Sequence, residues 1–163
     1  MSEVVKVGIA DMNIVFSPNT IRTTGLGSCV GVIIYDPFQS IAGLAHVMLP
    51  DSGIAKTQKE LNKAKFADTA IKELTERLLN KGCKKFHLKS KIAGGAEMFS
   101  FSSTNDFMKI GPRNVEAVKT ALKAEGIELL SEETGGNYGR TIEFDPKTLQ
   151  LQIRSVNNGI RNI

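Results

Sequence analysis

The chain has 163 residues, of which 41% are hydrophobic and 23% charged, and a formal net charge of +4. These values exclude a disordered or fibrous chain and fit one globular domain over residues 1–163. No apolar run approaches the roughly 20 residues of a membrane span, and residues 1–6 lack the pattern of a secretory signal. We therefore expect a cytoplasmic protein that is not inserted in a membrane. Its scattered basic residues lack the aromatic neighbours of a nucleic-acid site, and any steering by charge would favour an acidic protein surface.

Short runs of alternating or β-branched apolar residues predict a series of strands. In chain order the predicted strands cover residues 5–9, 13–16, 30–35, 41–49, 86–92, 127–130, 141–144 and 149–153. The strands 30–35 and 41–49 should form a hairpin, since Asp36-Pro37 ends the first of them. The stretch 23–29, which leads into this hairpin, is interrupted by glycines and is not predicted as a strand.

Two segments have helical spacing. Apolar residues recur at three- and four-residue steps from Leu61 to Leu78, and Gly82 stands where a C-terminal cap is expected. Pro112 suits the first turn of a second helix, which should end at Gly126. Strands dominate both ends of the chain and the helices fall between them. The sequence therefore predicts the α+β class, a layered α/β sandwich with a mixed β-sheet, over a doubly wound parallel sheet.

Cys29 is the candidate nucleophile. It lies between a glycine-rich stretch and a strand, and Gly25 and Gly27 would let a substrate approach the main chain closely. Backbone N–H groups at such a place can stabilise an oxyanion. A free thiol with a pKa of about 8.5 is mostly protonated at neutral pH, and no helix follows Cys29 to lower that value. The thiol should therefore be activated by a base.

The sequence has two histidines, His46 and His87. His46 lies on the strand predicted to pair with the one after Cys29. Adjacent strands are about 4.8 Å apart, so thiol and imidazole can meet across this hairpin. His87 follows a run of lysines and is expected at the surface. A third group usually orients a catalytic histidine. The polar residues that could do so, among which spacing does not choose, are Thr23, Thr24, Ser28 and Asp51.

Other chemistries fit the sequence less well. A lone cysteine is more often an inert core residue than a nucleophile. Cys83 and His87 have a tolerable spacing for metal ligands, but Cys29 and His46 do not form the second close pair of a structural zinc site. Residues 24–28 lack the G-x-x-x-x-G-K-[ST] pattern of a phosphate loop and precede a strand instead of a helix. We expect neither a metal nor a cofactor.

Several motifs together resemble the CheD family of chemoreceptor glutamine deamidases, in particular its members from Bacillus-like bacteria. The matching segments are Thr-Gly-Leu-Gly-Ser-Cys-Val (24–30), Ala-His-Val-Met-Leu-Pro-Asp-Ser (45–52), Lys-Phe-Ala-Asp-Thr-Ala-Ile (65–71), Ala-Gly-Gly-Ala-Glu-Met-Phe (93–99), Ile-Gly-Pro-Arg-Asn (110–114), Thr-Gly-Gly (134–136) and Gly-Arg-Thr-Ile (139–142). The resemblance covers nearly the whole chain. It implies a catalytic set of Cys29, His46 and Thr23, and a sandwich similar to the catalytic domains of deamidating toxins.

The resemblance also implies a reaction and two partners. Glutamine side chains of chemoreceptor cytoplasmic domains would be converted to glutamate through a cysteine thioester. The CheC phosphatase would be bound and stimulated, with Phe99 and Phe101 as candidate contacts. A second hypothesis is therefore an adaptor that binds CheC and receptors without needing Cys29. A cysteine protease or acyltransferase on the same residues is a third, for which the sequence shows no peptide-specificity feature.

Overall fold

The computed structural model describes residues 2–54, 61–98 and 109–163. In these residues the chain forms ten β-strands and two α-helices. The strands are β1 Val4–Val7, β2 Met12–Phe16, β3 Thr20–Leu26, β4 Val30–Asp36, β5 Ile41–Val47, β6 Lys89–Gly94, β7 Glu128–Thr134, β8 Arg140–Phe144, β9 Leu151–Ser155 and β10 Gly159–Asn162. The helices are α1 Ala67–Asn80 and α2 Ile110–Ala124. Within the described residues, no helix is long and apolar enough to cross a membrane.

The strands are divided between two mixed sheets of five strands each. The first sheet has the order β1-β3-β8-β9-β10, and the second has the order β2-β5-β4-β6-β7. β1 runs parallel to β3 and β6 runs parallel to β7, whereas the other neighbours are antiparallel. The predicted α+β class is confirmed. The sequence predicts one mixed sheet, and the structure has two.

The second sheet is the middle of three layers. One buried cluster joins Val32 and Ile34 of β4 to Leu74 of α1. The other cluster joins Ile33 of β4 to Ile142 of β8 in the first sheet. Because successive side chains of a strand point to opposite faces, β4 must be apolar along its whole length to be buried on both sides. This explains why β4 carries apolar side chains from Val32 to Tyr35 without alternation.

Side chains from the neighbouring layers come close to the backbone of the β4–β5 pair at two glycines. One of them, Gly31, lies opposite His46. A Cβ on Gly31 would lie 2.5 Å from Cδ1 of Ile142 in the first sheet. A Cβ on Gly43 would lie 2.5 Å from Cδ1 of Leu74 on the helical side. Each glycine thus leaves room for a side chain from a neighbouring layer, and a larger residue would push that layer away.

Asp36 closes the β4–β5 hairpin. Its side chain is fully buried and accepts hydrogen bonds from the N–H groups of Phe38 at 2.9 Å, Gln39 at 3.2 Å and Lys84 at 3.0 Å. Burial alone would raise the pKa of this carboxyl, but these hydrogen bonds and the neighbouring His87 hold the pKa below its ordinary value. Asp36 therefore ties the hairpin turn to the connection between α1 and β6.

The first helix begins at Ala67, six residues later than the apolar spacing from Leu61 predicts. The backbone just before it pairs with the end of β5 instead. The carbonyl of Lys65 accepts from the N–H groups of Met48 and Leu49, and Leu49 accepts from Ala67. Backbone groups used in this way cannot also make the bonds of a helix.

Three strand predictions differ from the structure. β3 and β10 were not predicted, and the strand predicted over 86–92 begins at Lys89, because Lys85–His87 forms a 3-10 turn. His87 is only partly exposed: Nδ1 lies 3.4 Å from Oδ2 of Asp36, and its ring stacks on Phe38 at 4.3 Å between centroids. β3 was not predicted because its buried positions do not form an apolar alternation, since one of them is Thr23.

We expect Asp36→Ala to lower the free energy of unfolding by about 2–4 kcal/mol, because several N–H groups lose a charged acceptor. Urea denaturation followed by circular dichroism would measure the loss. Asp145→Ala is the matched control. Among the described residues, the Asp145 side chain accepts one hydrogen bond from a backbone N–H group, that of Lys147 at 2.8 Å, in an exposed hairpin turn. Equal losses in the two variants would contradict the role assigned to Asp36.

Candidate active site

A hydrogen bond between the two sheets holds the candidate base. Thr23 of β3 and His46 of β5 are both buried, and Oγ1 of Thr23 lies 2.7 Å from Nδ1 of His46. The same hydroxyl lies 2.7 Å from the carbonyl oxygen of Val7, on β1. A polar contact inside an apolar layer is stable only where its groups are paired, and here the first sheet supplies the partner.

The two contacts of the Thr23 hydroxyl define the tautomer of His46. A hydroxyl has one hydrogen to donate, and the carbonyl of Val7 can only accept it. The hydroxyl must then accept from the imidazole, so Nδ1 of His46 carries the hydrogen. In the neutral ring the other nitrogen, Nε2, is left with a free lone pair. Nε2 is buried and has no hydrogen-bond partner among the described residues.

Cys29 lies at the same end of the second sheet as His46 and on the same face. Gly31 is opposite His46, and Cys29 precedes Gly31 by two residues, which returns its side chain to that face. The half-buried thiol packs against the cluster between the sheets. Diagonal neighbours on adjacent strands are about 7–8 Å apart at the backbone, within reach of longer side chains. The structure thus brings Thr23 and His46 into contact and places Cys29 on the same face of the sheet, two residues from the partner of His46.

The four candidates for the third group occupy different environments. Thr24 is exposed on β3, and Asp51 is exposed and accepts from the N–H of Gly53. Ser28 is partly buried, and its carbonyl is bound by a side chain of α2. Of the four, Thr23 is the one hydrogen-bonded to His46.

The backbone around Cys29 is held by the turn that follows β6. The carbonyl of Gly27 accepts from the N–H of Ala96 at 2.9 Å, and that of Cys29 accepts from Gly95 at 2.8 Å. Gly94 has a φ of +115°, and a Cβ there would lie 2.3 Å from the carbonyl oxygen of Cys29. Only glycine fits at this position.

A side chain from α2 completes this support. Asn114 is fully buried, and its Nδ2 lies 2.9 Å from the carbonyl oxygen of Ser28 and 2.9 Å from that of Met48. It therefore links the residue before Cys29 to the end of the strand that carries His46. Sequence reasoning did not single out Asn114; its one signal was a place in the segment 110–114.

Burial shifts both reactive groups toward their neutral forms. It raises the pKa of the Cys29 thiol, an effect only partly offset by the residue's own N–H group. Burial also lowers the pKa of His46. Both shifts favour a thiol and a neutral imidazole over a thiolate–imidazolium pair.

The residues considered for a zinc site are separated by the second sheet. Cys83 is buried in the cluster on the helical side, where burial and the charge of Asp36 raise its pKa to about 11. Cys29 packs on the opposite face, between the sheets. Within the described ranges, no group of three or more His, Cys, Asp or Glu residues could hold a metal ion. Phe99 and Phe101, the candidate partner contacts, lie outside the described residues.

This layered α+β fold, with a buried histidine beside a half-buried thiol, can be compared with known proteins. The model of the family described as CheD chemotactic sensory transduction matches residues 48–155. A Bacillus velezensis protein named chemoreceptor glutamine deamidase CheD is 60% identical over 96% of this chain and 93% of its own length. A Bacillus subtilis protein of the same name is 58% identical over 98% of this chain and 96% of its own. The chain belongs to the CheD family.

Likeness to a solved structure is more remote. A Neisseria meningitidis protein assigned to the family DUF152 superimposes with a TM-score of 0.47 and 10% identity, covering 82% of this chain and 64% of that one.

We expect Gly94→Ala to change the reactivity of Cys29 in a protein that remains folded. The new Cβ would collide with the carbonyl oxygen of Cys29 at a φ that side chains rarely adopt. Alkylation of Cys29 by iodoacetamide, followed by mass spectrometry, should change at least about threefold in rate, because the backbone that carries the thiol must move. Gly82→Ala is the control, since it shares a positive φ, +101°, with nothing within 4 Å of the added Cβ. An unchanged alkylation rate in folded Gly94→Ala would contradict the role of this contact.

Proposed function

We propose that the protein is a cysteine-dependent deamidase that converts glutamine side chains of chemoreceptors to glutamate. Cys29 is the nucleophile, His46 the base and Thr23 the residue that orients His46. The observation that carries the proposal is the pair of hydrogen bonds made by the Thr23 hydroxyl. It donates to the carbonyl of Val7 and accepts from Nδ1 of His46, so Nε2 of His46 is left as the base, on the face that bears Cys29. The names of the Bacillus relatives support the substrate.

Attack begins with proton transfer, because the buried thiol is neutral at rest. Nε2 of His46 takes the proton as Sγ of Cys29 bonds to the amide carbon of the substrate glutamine. The π electrons of the amide carbonyl move onto its oxygen, which becomes negatively charged. The resulting imidazolium donates from Nδ1 to the hydroxyl of Thr23, whose lone pair stabilises the charge on the ring.

The backbone at Cys29 is suited to bind the negative oxygen. In a trans peptide the C=O and the following N–H point in opposite directions. The carbonyl of Gly27 is held by Ala96 in the turn after β6, and that of Ser28 is held by Asn114 of α2. The N–H groups of Ser28 and Cys29 therefore point away from Ala96 and Asn114 respectively, and neither donates to a backbone carbonyl among the described residues. They are our proposed oxyanion donors.

The intermediate then collapses. His46 returns its proton to the amide nitrogen, the carbon–nitrogen bond breaks, and ammonia leaves a thioester on Cys29. A water molecule, deprotonated by His46, attacks the thioester carbon, and the carbon–sulfur bond breaks with return of the proton to sulfur. The products are glutamate and the free thiol. Because Cys29 must stay reduced, we place the reaction in the cytoplasm.

The decisive experiment is ammonia release from a purified receptor cytoplasmic fragment, with mass spectrometry of its peptides for conversion of glutamine to glutamate. We expect Cys29→Ala and His46→Ala to lower the rate at least about 10³-fold, as loss of a nucleophile or its base does elsewhere. Cys83→Ala is the matched control, because it removes the other thiol from the opposite face of the sheet. It should retain activity.

A folded wild-type protein that releases no ammonia and converts no glutamine would contradict the deamidase. The CheC-binding adaptor would then be the better hypothesis, and CheC binding that survives in Cys29→Ala would support it. Equal loss in Cys83→Ala would instead show that the assay reports on stability.

Substitutions at Thr23 test the proposed tautomer of His46. We expect Thr23→Val, which keeps the shape but removes the acceptor for Nδ1 of His46, to lower kcat about 10²-fold, at the lower end of what general base catalysis supplies. Thr23→Ser keeps the hydroxyl and should retain most of the activity. Steady-state kinetics on the same receptor fragment measure both. Similar activity in the two variants would contradict the orienting role.

The pH dependence should reflect the buried neutral histidine. Because the pKa of His46 is lowered, the acid limb of kcat/KM should fall below the ordinary pKa of 6.5. The unfolded chain binds a proton at His46 where the folded protein does not, so stability decreases as pH falls from 6.5 toward the folded pKa. His46→Gln should lack this part of the dependence in thermal unfolding at several pH values. An acid limb above 6.5 would contradict the assignment.

A further inference from the structure

We infer that Asn114 is a positioning residue that aims the N–H group of Cys29 at the oxygen of the tetrahedral intermediate. The inference rests on the proposed function, which supplies the intermediate. Asn114 contacts no part of the substrate. It acts through the backbone, from the opposite side of the second sheet.

Asn114 lies on the helical side of the sheet, whereas the thiol lies between the sheets. Its neighbours in α2, Val115 and Val118, belong to the helix-side cluster. From there its amide reaches the gap between the start of β4 and the end of β5. Both of its partners, the carbonyls of Ser28 and Met48, are pure acceptors, so the NH₂ group must face them. Both hydrogens are used, and neither bond survives rotation of the amide.

The bond to Ser28 fixes the direction of the next N–H group. The carbonyl of Ser28 and the N–H of Cys29 belong to one planar peptide and point in opposite directions. Holding that carbonyl toward α2 turns the N–H of Cys29 to the side of the thiol. This agrees with the effect of the same N–H on the thiol, whose pKa it lowers against the larger effect of burial. When the substrate carbon bonds to Sγ, the negatively charged oxygen on that carbon would therefore lie within reach of the N–H group of Cys29.

Among the described residues, Asn114 is the one side chain that binds the backbone carbonyls of residues 27–29. The carbonyls on either side, those of Gly27 and Cys29, are held by the backbone N–H groups of Ala96 and Gly95. The orientation of the peptide between Ser28 and Cys29 therefore depends on a group that a single substitution can remove.

Packing alone does not account for an asparagine here. Val115, Val118 and Leu122 already bury the apolar face of α2. Oδ1 of Asn114 is buried without a hydrogen-bond partner in the described part of the chain. An unpaired buried acceptor costs stability, which an apolar residue would avoid. The two hydrogen bonds that its NH₂ group donates explain why asparagine is present despite this loss of stability.

The test compares Asn114→Ala and Asn114→Leu with Val118→Ala, which removes buried volume one turn along the same helix. We expect both Asn114 variants to lower kcat about 10²-fold, the usual loss of one oxyanion donor, with KM within about threefold of wild type. Alkylation of Cys29 by iodoacetamide forms no oxyanion, so its rate should stay within about threefold of wild type. Val118→Ala should change neither rate.

A second probe does not depend on turnover. In a receptor peptide whose target glutamine side chain ends in an aldehyde, Sγ adds to the carbonyl carbon and the thiol proton passes to the oxygen. The adduct should bind about tenfold more weakly to Asn114→Leu than to wild type, a loss of about 1.4 kcal/mol. This outcome would support the positioning role even if wild type failed to deamidate the receptor, which would contradict only the proposed function.

Two results would overturn the inference. One is adduct affinity in both Asn114 variants equal to that of wild type, whatever their kcat. The other is a parallel fall in kcat and alkylation rate, matched by Val118→Ala at a similar melting temperature, which would identify Asn114 as a packing residue.

Discussion

Burial of β4 and β5 on both faces is the constraint on which the rest of the structure depends. These two strands have no solvent-exposed face, so each polar side chain within them needs a hydrogen-bond partner from a neighbouring element. His46 obtains that partner from Thr23 in the first sheet. Asn114 reaches the same region from the helical layer through the carbonyls of Ser28 and Met48. The candidate site is therefore built where all three layers meet, at the open end of the β4–β5 hairpin.

Much of this arrangement could be predicted from sequence because it depends on local patterns. Two apolar segments, 30–35 and 41–49, predict the hairpin, and the hairpin places His46 on the strand that pairs with the one after Cys29. The choice of Thr23 could not be derived from spacing, because β3 joins a different sheet and its buried positions do not follow an apolar alternation. The start of α1 was misplaced for a similar reason, since tertiary pairing of the backbone at Lys65 overrides helical periodicity.

The residues that escaped prediction are polar groups that join distant parts of the chain. Asn114 bonds to residues 86 and 66 positions away, and Asp36 accepts from Lys84, 48 positions away. No periodicity marks such a residue, because its role is set by where other elements fold. Paired glycines such as Gly94 and Gly95 are the more visible signal, since they show where backbones approach closely.

The apolar character of β4 on both faces has a consequence for how the chain can evolve. In a sheet with one wet face, slipping a strand by one residue exposes its apolar side chains, so the hydrophobic pattern itself guards the alignment. Here a slipped β4 would stay apolar on each side, and the alignment depends instead on two small residues, Gly31 and Gly43, and on the anchored turn at Asp36. An insertion or deletion within this hairpin would bring larger side chains against Ile142 and Leu74 and separate His46 from Thr23, so close packing takes over the role that a hydrophobic pattern plays elsewhere.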